Sequence, residues 1–85
     1  MHFVYILESE VTRTWYIGYT TDIQNRLEAH NQSRNISTAH GGPWKLIYYE
    51  AYLKKMDAIG REKFLKSGSG HRFLKKQLRH YVANS

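Results

Sequence analysis

Hydrophobic and polar positions divide the chain into strands, helices and turns. Residues 2–8 alternate, with Phe3, Tyr5 and Leu7 on one side and His2, Val4 and Ile6 on the other. Both sides are apolar, so this segment predicts a strand covered on both faces. Trp15–Tyr19 predicts a second strand from its aromatic and branched residues. Residues 9–13 join the two as an antiparallel hairpin with a loop. Gly18, near the end of the second strand, marks a bulge or a close backbone approach. Thr21 stands three residues before Gln24, the spacing of a capping box, and predicts the N-cap of a helix over about 22–32. Ile23 and Leu27 give that helix an apolar stripe. Arg26 and His30, four residues apart, lie at its edge, where a helix built only for packing would carry Leu or Ala.

From Gln32 to Gly42 the chain is polar and aperiodic, and Gly41-Gly42-Pro43 signals a turn. Trp44–Leu53 predicts a third strand, with Leu46, Tyr48, Glu50 and Tyr52 on one side and Lys45, Ile47, Tyr49 and Ala51 on the other. A second helix follows over roughly 55–66 and stops before Gly68. Gly60 inside it costs about 1 kcal/mol relative to Ala. Ser67-Gly68-Ser69-Gly70 predicts a turn, and a third helix runs on to about Val82. Phe73, Leu74, Leu78, Tyr81 and Val82 form its core stripe; Arg72, Lys75, Lys76 and Arg79 form an opposing basic stripe. The predicted fold class is α+β, one domain over 1–85. It has a small three-stranded, mainly antiparallel sheet flanked by three helices in the order β-β-α-β-α-α.

Charge sharpens this picture. The net charge is +6, but residues 54–85 carry nine Lys/Arg against two acids, while residues 1–53 are close to neutral. A basic half on a small domain points to a polyanion partner, most simply nucleic acid; lysines that merely keep a helix soluble are the plain alternative. The chain has no cysteine, which excludes disulfides, a thiolate zinc site and a cysteine nucleophile and fits a cytoplasmic protein. The first apolar run is short and interrupted by Glu8 and Glu10, unlike a signal peptide. No run is long enough to span a membrane.

Glu62 is the sharpest oddity. Ala58, Ile59 and Leu65 surround it on the inward face of the second helix, and burying an unpaired carboxylate is costly. A metal ion, or an ion pair with Lys63 or Lys66, would offset the charge. Tyr5 and Tyr16 are either core aromatics or phenols facing a cleft. They share a face only if opposing residues of the hairpin sum to an odd number; Ile6 opposite Tyr16 would separate them. Arg26 could pair with Asp22, Glu28 or Glu62, or stabilise developing charge on a phosphate. His30 is either a surface histidine at a helix end or a partner for a phenol. Tyr19, Trp44 and Tyr48 could stack on splayed bases, with core packing the stronger expectation for Trp44. The basic stripe could track a phosphate backbone, with His71 and His80 as extra contacts.

Together Phe3-Val4-Tyr5, Tyr16-Ile17-Gly18, Arg26, His30 and Glu62 resemble the GIY-YIG nuclease family over nearly the whole chain, closest to its small stand-alone members. Phe3 replaces the first glycine of the namesake motif, at a position where a strand side chain can pack. Asn31 is only a loose substitute for the late asparagine that many members carry, and Asn84 is too near the end to serve. The resemblance implies a catalytic set of Tyr5, Tyr16, Arg26, His30 and Glu62. Glu62 would hold one Mg²⁺ or Mn²⁺, and Gly18, Lys66, Arg72, Lys75, Lys76 and Arg79 would contact substrate. It implies a metal-dependent endonuclease acting on DNA with little sequence preference, in repair or processing. The targeting that other members draw from an extra domain would come from this chain's own surface or from a partner protein. A nucleic-acid-binding module with little or no cleavage is the alternative, and a protein-interaction domain with relic site residues a third reading. The residues leave DNA against RNA and the oligomeric state open.

Overall fold

The computed structural model describes residues 1–32 and 41–84. The chain forms β1 (His2–Ser9), β2 (Trp15–Thr20), α1 (Ile23–Asn31), β3 (Trp44–Tyr52), α2 (Lys55–Leu65), α3 (Gly68–Gln77) and α4 (Arg79–Ala83). The sheet order is β2-β1-β3, and both pairings are antiparallel. The predicted α+β class and element order hold. The polar stretch expected from Gln32 to Gly42 lies mostly outside the described residues.

β1 is the central strand, which explains why both its faces are apolar. On one face Val4 and Ile6 join Ile17, Ala58, Leu65 and Leu74 in a core built with α2 and α3. On the other, Tyr5 and Leu7 pack with Trp44, Tyr16, Leu46 and Leu27 of α1. Residues of opposite faces alternate along β2 as well: Trp15, Ile17 and Tyr19 face α2 and α3, while Tyr16 faces α1.

Four local expectations are corrected. The N-cap of α1 is Asp22, not Thr21: its Oδ1 accepts the Asn25 N–H at 3.1 Å. The Thr20 hydroxyl accepts the Asp22 N–H at 3.1 Å, and this turn sets the helix start one residue later. In β3 the pairing slips between Ile6↔Tyr48 and Leu7↔Leu46, leaving Ile47 as a bulge. The bulge turns Leu46 toward Leu7 while Tyr48 faces Ile6, so the two do not share a side. The Ser67–Gly70 stretch is the start of α3, not a separate turn. Ser67 Oγ caps it by accepting the Gly70 N–H at 3.1 Å. Gly70 is buried against the last turn of α2, where an added Cβ would meet the Phe64 carbonyl. Finally, the third helix does not run unbroken to Val82. It ends at Gln77 with Leu78 as its C-cap, and α4 begins a new turn, which brings the Tyr81 hydroxyl onto Glu8.

Candidate active site

The hairpin register decides whether the phenols meet. Phe3 opposes Thr20 and Tyr5 opposes Gly18; the odd sum places Tyr5 and Tyr16 on one face. Their rings lie 6.3 Å apart. Gly18 makes this possible. A Cβ there would lie 2.4 Å from the Tyr5 hydroxyl oxygen, so the close approach expected at Gly18 is to the phenol of its own cross-strand partner.

α1 delivers His30 to the same face. His30 is 1% exposed, so it is not a surface histidine. Its Nε2 lies 2.9 Å from the Tyr5 hydroxyl, and its ring sits 4.8 Å from that of Tyr16. Tyr5, Tyr16 and His30, from three elements, thus form one cluster, with Trp44 packed edge-on against Tyr16. Asn31 supports it from the adjacent position. Its side-chain amide accepts the Trp44 N–H at 2.6 Å and donates to the Trp44 carbonyl at 3.0 Å, tying the end of α1 to the start of β3.

Two charges act on this cluster. Burial raises the Tyr5 phenol far above its ordinary value; the neighbouring Tyr16 adds to the rise, the Arg26 charge opposes it, and Glu62 reinforces it. Burial likewise lowers His30, and the Arg26 charge lowers it further. Tyr5 is therefore a neutral phenol and His30 a neutral imidazole at physiological pH. Arg26 is exposed, not half-buried, and makes no ion pair with Asp22, Glu28 or Glu62.

Glu62 is partly buried, at 18% side-chain exposure, and one oxygen lies 3.1 Å from the Lys66 ammonium one helical turn on. Of the two expected bases, Lys66 is the partner, and Lys66 itself is 53% exposed. Such an i,i+4 pair contributes only about 0.3–0.5 kcal/mol. Among the described residues no group of three His, Cys, Asp or Glu could hold a metal ion. The described residues therefore do not make a site for a soft or fully protein-ligated metal. A hard, mostly hydrated cation fits: Mg²⁺ keeps several waters and needs one carboxylate plus substrate oxygens, and Glu62 has a second oxygen to offer.

The remaining predicted contacts are distributed. Tyr48 and Tyr52 donate to Glu50 at 2.6 Å each, and Arg61 holds the same carboxylate through two nitrogens at 2.9 and 3.1 Å. Tyr48 is raised to about 12 by its burial and by its bond to Glu50. It is partly buried against the α2/α3 core, with its hydroxyl committed to Glu50. Trp44 is buried, and Tyr19 is committed to the α2 face and to His2 Nδ1 at 2.7 Å. The exposed aromatic on the face of Tyr5 is Tyr49, which opposes Tyr5 in the sheet and meets Phe3 edge-on. Strand alternation separated Tyr49 from Tyr48, and that was the available signal for it. Arg72, Lys75 and Lys76 on α3 and Arg79 at the start of α4 are all exposed; α3 packs across the sheet from Tyr5 and Tyr16.

Paired tyrosines and a histidine brought together on one face, an arginine on the same helix as the histidine, and a glutamate on α2, which packs on the other face of the sheet, are the residue set of one nuclease superfamily. Residues 1–77 match its defining domain, and the chain belongs to the GIY-YIG catalytic domain family. It is 36% identical over 67 residues to UPF0213 protein CPE1444 of Clostridium perfringens, covering 78% of this chain and 71% of that one. It is 34% identical over 67 residues to UPF0213 protein HQ_3675A of Haloquadratum walsbyi, covering 78% of this chain and 74% of that one. The solution NMR structure of UPF0213 protein BH0048 from Bacillus halodurans superimposes with a TM-score of 0.55 at 33% identity, covering 89% of this chain and 83% of that one. A GIY-YIG domain implies nucleic-acid binding, and no helix among the described residues is long and apolar enough to cross a membrane.

Proposed function

We propose that the protein is a divalent-metal-dependent endonuclease that hydrolyses phosphodiester bonds in DNA with low sequence preference, in DNA repair or processing. The observation that carries this reading is the convergence of Tyr5, Tyr16 and His30 on one face, with Arg26 and Glu62 close enough for their charges to act on Tyr5.

The chemistry follows from the two neutral groups. Tyr5 donates its hydroxyl proton to His30 Nε2, with His30 carrying its own proton on Nδ1. The phenol oxygen then has lone pairs to accept a hydrogen bond from the attacking water. As the water oxygen bonds to phosphorus, its proton passes to Tyr5 and the Tyr5 proton passes to His30. The relay spares Tyr5 the phenolate that its burial disfavours. Tyr16, packed on both partners, orients the water and the imidazole. Arg26 is exposed and unpaired with the nearby acids, so its guanidinium is available to the scissile phosphate. Glu62 would hold one Mg²⁺ or Mn²⁺ ion, which would supply Lewis-acid charge at the leaving oxygen; Lys66, released from Glu62, would meet a phosphate oxygen. Tyr49, exposed on the face of Tyr5, offers a stacking surface. The exposed cations of α3 carry no base-reading pattern, which supports weak sequence dependence.

The Glu62–Lys66 link favours a second reading, a nucleic-acid-binding module with little turnover. One experiment separates them: nicking of a panel of labelled DNA structures with and without Mg²⁺, by the protein and by Glu62→Ala. Metal-dependent nicking that Glu62→Ala abolishes is the expected result. Salt-sensitive binding without cleavage in either Mg²⁺ or Mn²⁺ selects the binding module.

A further inference from the structure

The α2/α3 face of the sheet carries a constellation that the chemistry at Tyr5 does not use. Glu8, at the end of β1, is 3% exposed yet accepts hydrogen bonds from Trp15 Nε1 at 2.9 Å, from Arg13 at 3.1 Å and from the Tyr81 hydroxyl. Burial pushes its carboxyl up, but the bonds from Tyr81, Trp15 and Arg13 outweigh that and hold it below its ordinary value. A buried carboxylate with three donors is a rigid anchor. It fixes the plane of the Trp15 indole. It also draws in the Arg13 guanidinium, although Arg13 must adopt φ 65°, a left-handed conformation uncommon for any residue but glycine.

Between this anchor and α3 lies a groove of about 330 Å³ lined by Arg13, Thr14, Trp15, His71 and Lys75. That volume is at the lower end of ligand sites, roughly 300–1,000 Å³. The Lys75 ammonium stands 4.3 Å from the centre of the Trp15 ring, a cation–π contact that holds it over the groove. The Arg13 side chain is 56% exposed, so the donors not engaged by Glu8 face solvent. Two cations beside an ordered indole, with Arg72 and Lys76 on α3 and Arg79 at the start of α4, suit a phosphodiester backbone: phosphate oxygens on the cations and a sugar against the indole edge.

We propose that this groove is a second nucleic-acid-binding site, which takes the backbone of a strand segment that is not being cut. Trp15 and Tyr16 point to opposite faces of β2, so the two sites lie on opposite sides of the sheet. β2 is an edge strand, so one flexible strand that passes round that edge can occupy both. The inference rests on the nucleic-acid reading above and adds to it where the flanking segment is held.

The test is an NMR titration of the isotope-labelled full chain with a short single-stranded DNA oligonucleotide at low salt, without divalent metal. The expected result is saturable movement of the Trp15 indole N–H and the Thr14 and His71 amides, alongside residues around Tyr16 and Arg26. Movement on the Tyr16 face alone overturns the groove and leaves the nuclease reading standing. No movement anywhere overturns both. Inorganic phosphate that reproduces the groove shifts at equal phosphate concentration marks a general anion patch and overturns the assignment to nucleic acid. Arg13→Gln provides an independent check: the slope of log affinity against log salt should become less negative by about one, and an unchanged slope counts against the site.

Discussion

The Tyr5 hydroxyl and His30 Nε2 stand 2.9 Å apart across 25 residues of sequence, and the whole candidate site depends on that pairing. β1 supplies the phenol from the central strand, and α1 supplies the imidazole from the helix laid over it. Neither group reaches the other without Gly18, because the Tyr5 ring lies in the space where a side chain at 18 would project. Substituting Gly18 by Ala should displace the phenol and break its contact with His30. An overpacked core site typically costs about 1–3 kcal/mol, so thermal unfolding should report that loss. The His30 ring resonances should move in parallel, and metal-dependent nicking should fall by more than the loss of folded protein accounts for. Unshifted His30 resonances in a folded Gly18→Ala protein would show that the pairing does not depend on the glycine.

Glu62 and Lys66 make a separate prediction. Their pair is half-exposed and spans one helical turn, so its loss should barely change stability, within about 0.5 kcal/mol. Glu62→Ala should nonetheless abolish metal-dependent cleavage and saturable Mn²⁺ binding in the presence of a nucleic acid that is not cleaved. Lys66→Ala should leave Mn²⁺ binding intact and weaken the nucleic acid instead. Retained nicking by Glu62→Ala would assign the activity to a contaminant.

Arg26 acts on its neighbours through charge as well as on substrate. Its cation lowers the titration of His30 after burial has done so, so Arg26→Ala should raise the His30 pKa, read by NMR. In the same variant, cleavage should fall roughly a thousandfold or more if the guanidinium stabilises charge on the phosphate. Nicking reduced less than tenfold, with the His30 shift present, would leave Arg26 an electrostatic neighbour only.

What was legible in the chain follows from how far each signal reaches. The strands, the helices and the sharing of a face by Tyr5 and Tyr16 follow from alternation, helical spacing and one parity condition. The pairing of Glu8 with Tyr81, 73 residues apart, leaves no such trace, and neither does the grip of Arg61 on Glu50. Glu50 did stand on the same side as Tyr48 and Tyr52, but spacing cannot say which cation would close that network. The bulge at Ile47 is invisible to alternation because it is a failure of alternation. Thr21 and Asp22 are both good caps; the Thr20 hydroxyl, not a preference of either residue, set the helix start.

Acid stability follows from groups held below their ordinary values. Glu8 is buried and Glu50 partly buried, which alone would raise them. The donors around each (Tyr81, Trp15 and Arg13 on Glu8; Arg61, Tyr48 and Tyr52 on Glu50) bring both below 4.5. The unfolded chain therefore binds protons first as pH falls. The stabilisation from both carboxylates is complete above about pH 4.5 and is lost as pH drops through their folded values. His30, lowered by burial and by Arg26, has the same sign from a different cause: the fold favours the neutral imidazole, and its share is complete above 6.5 and lost below. Denaturant midpoints measured from neutral pH downward should fall in two stages, a shallow one below 6.5 and a steeper one below 4.5. His30→Gln should remove the first stage and leave the second. Glu50→Gln should flatten the second and lower stability at neutral pH, because it leaves Arg61 without its counter-charge; the roughly 3–5 kcal/mol cost of breaking a fully buried pair is an upper bound at this partly exposed site. A single unbroken decline in all three proteins would contradict the assignment.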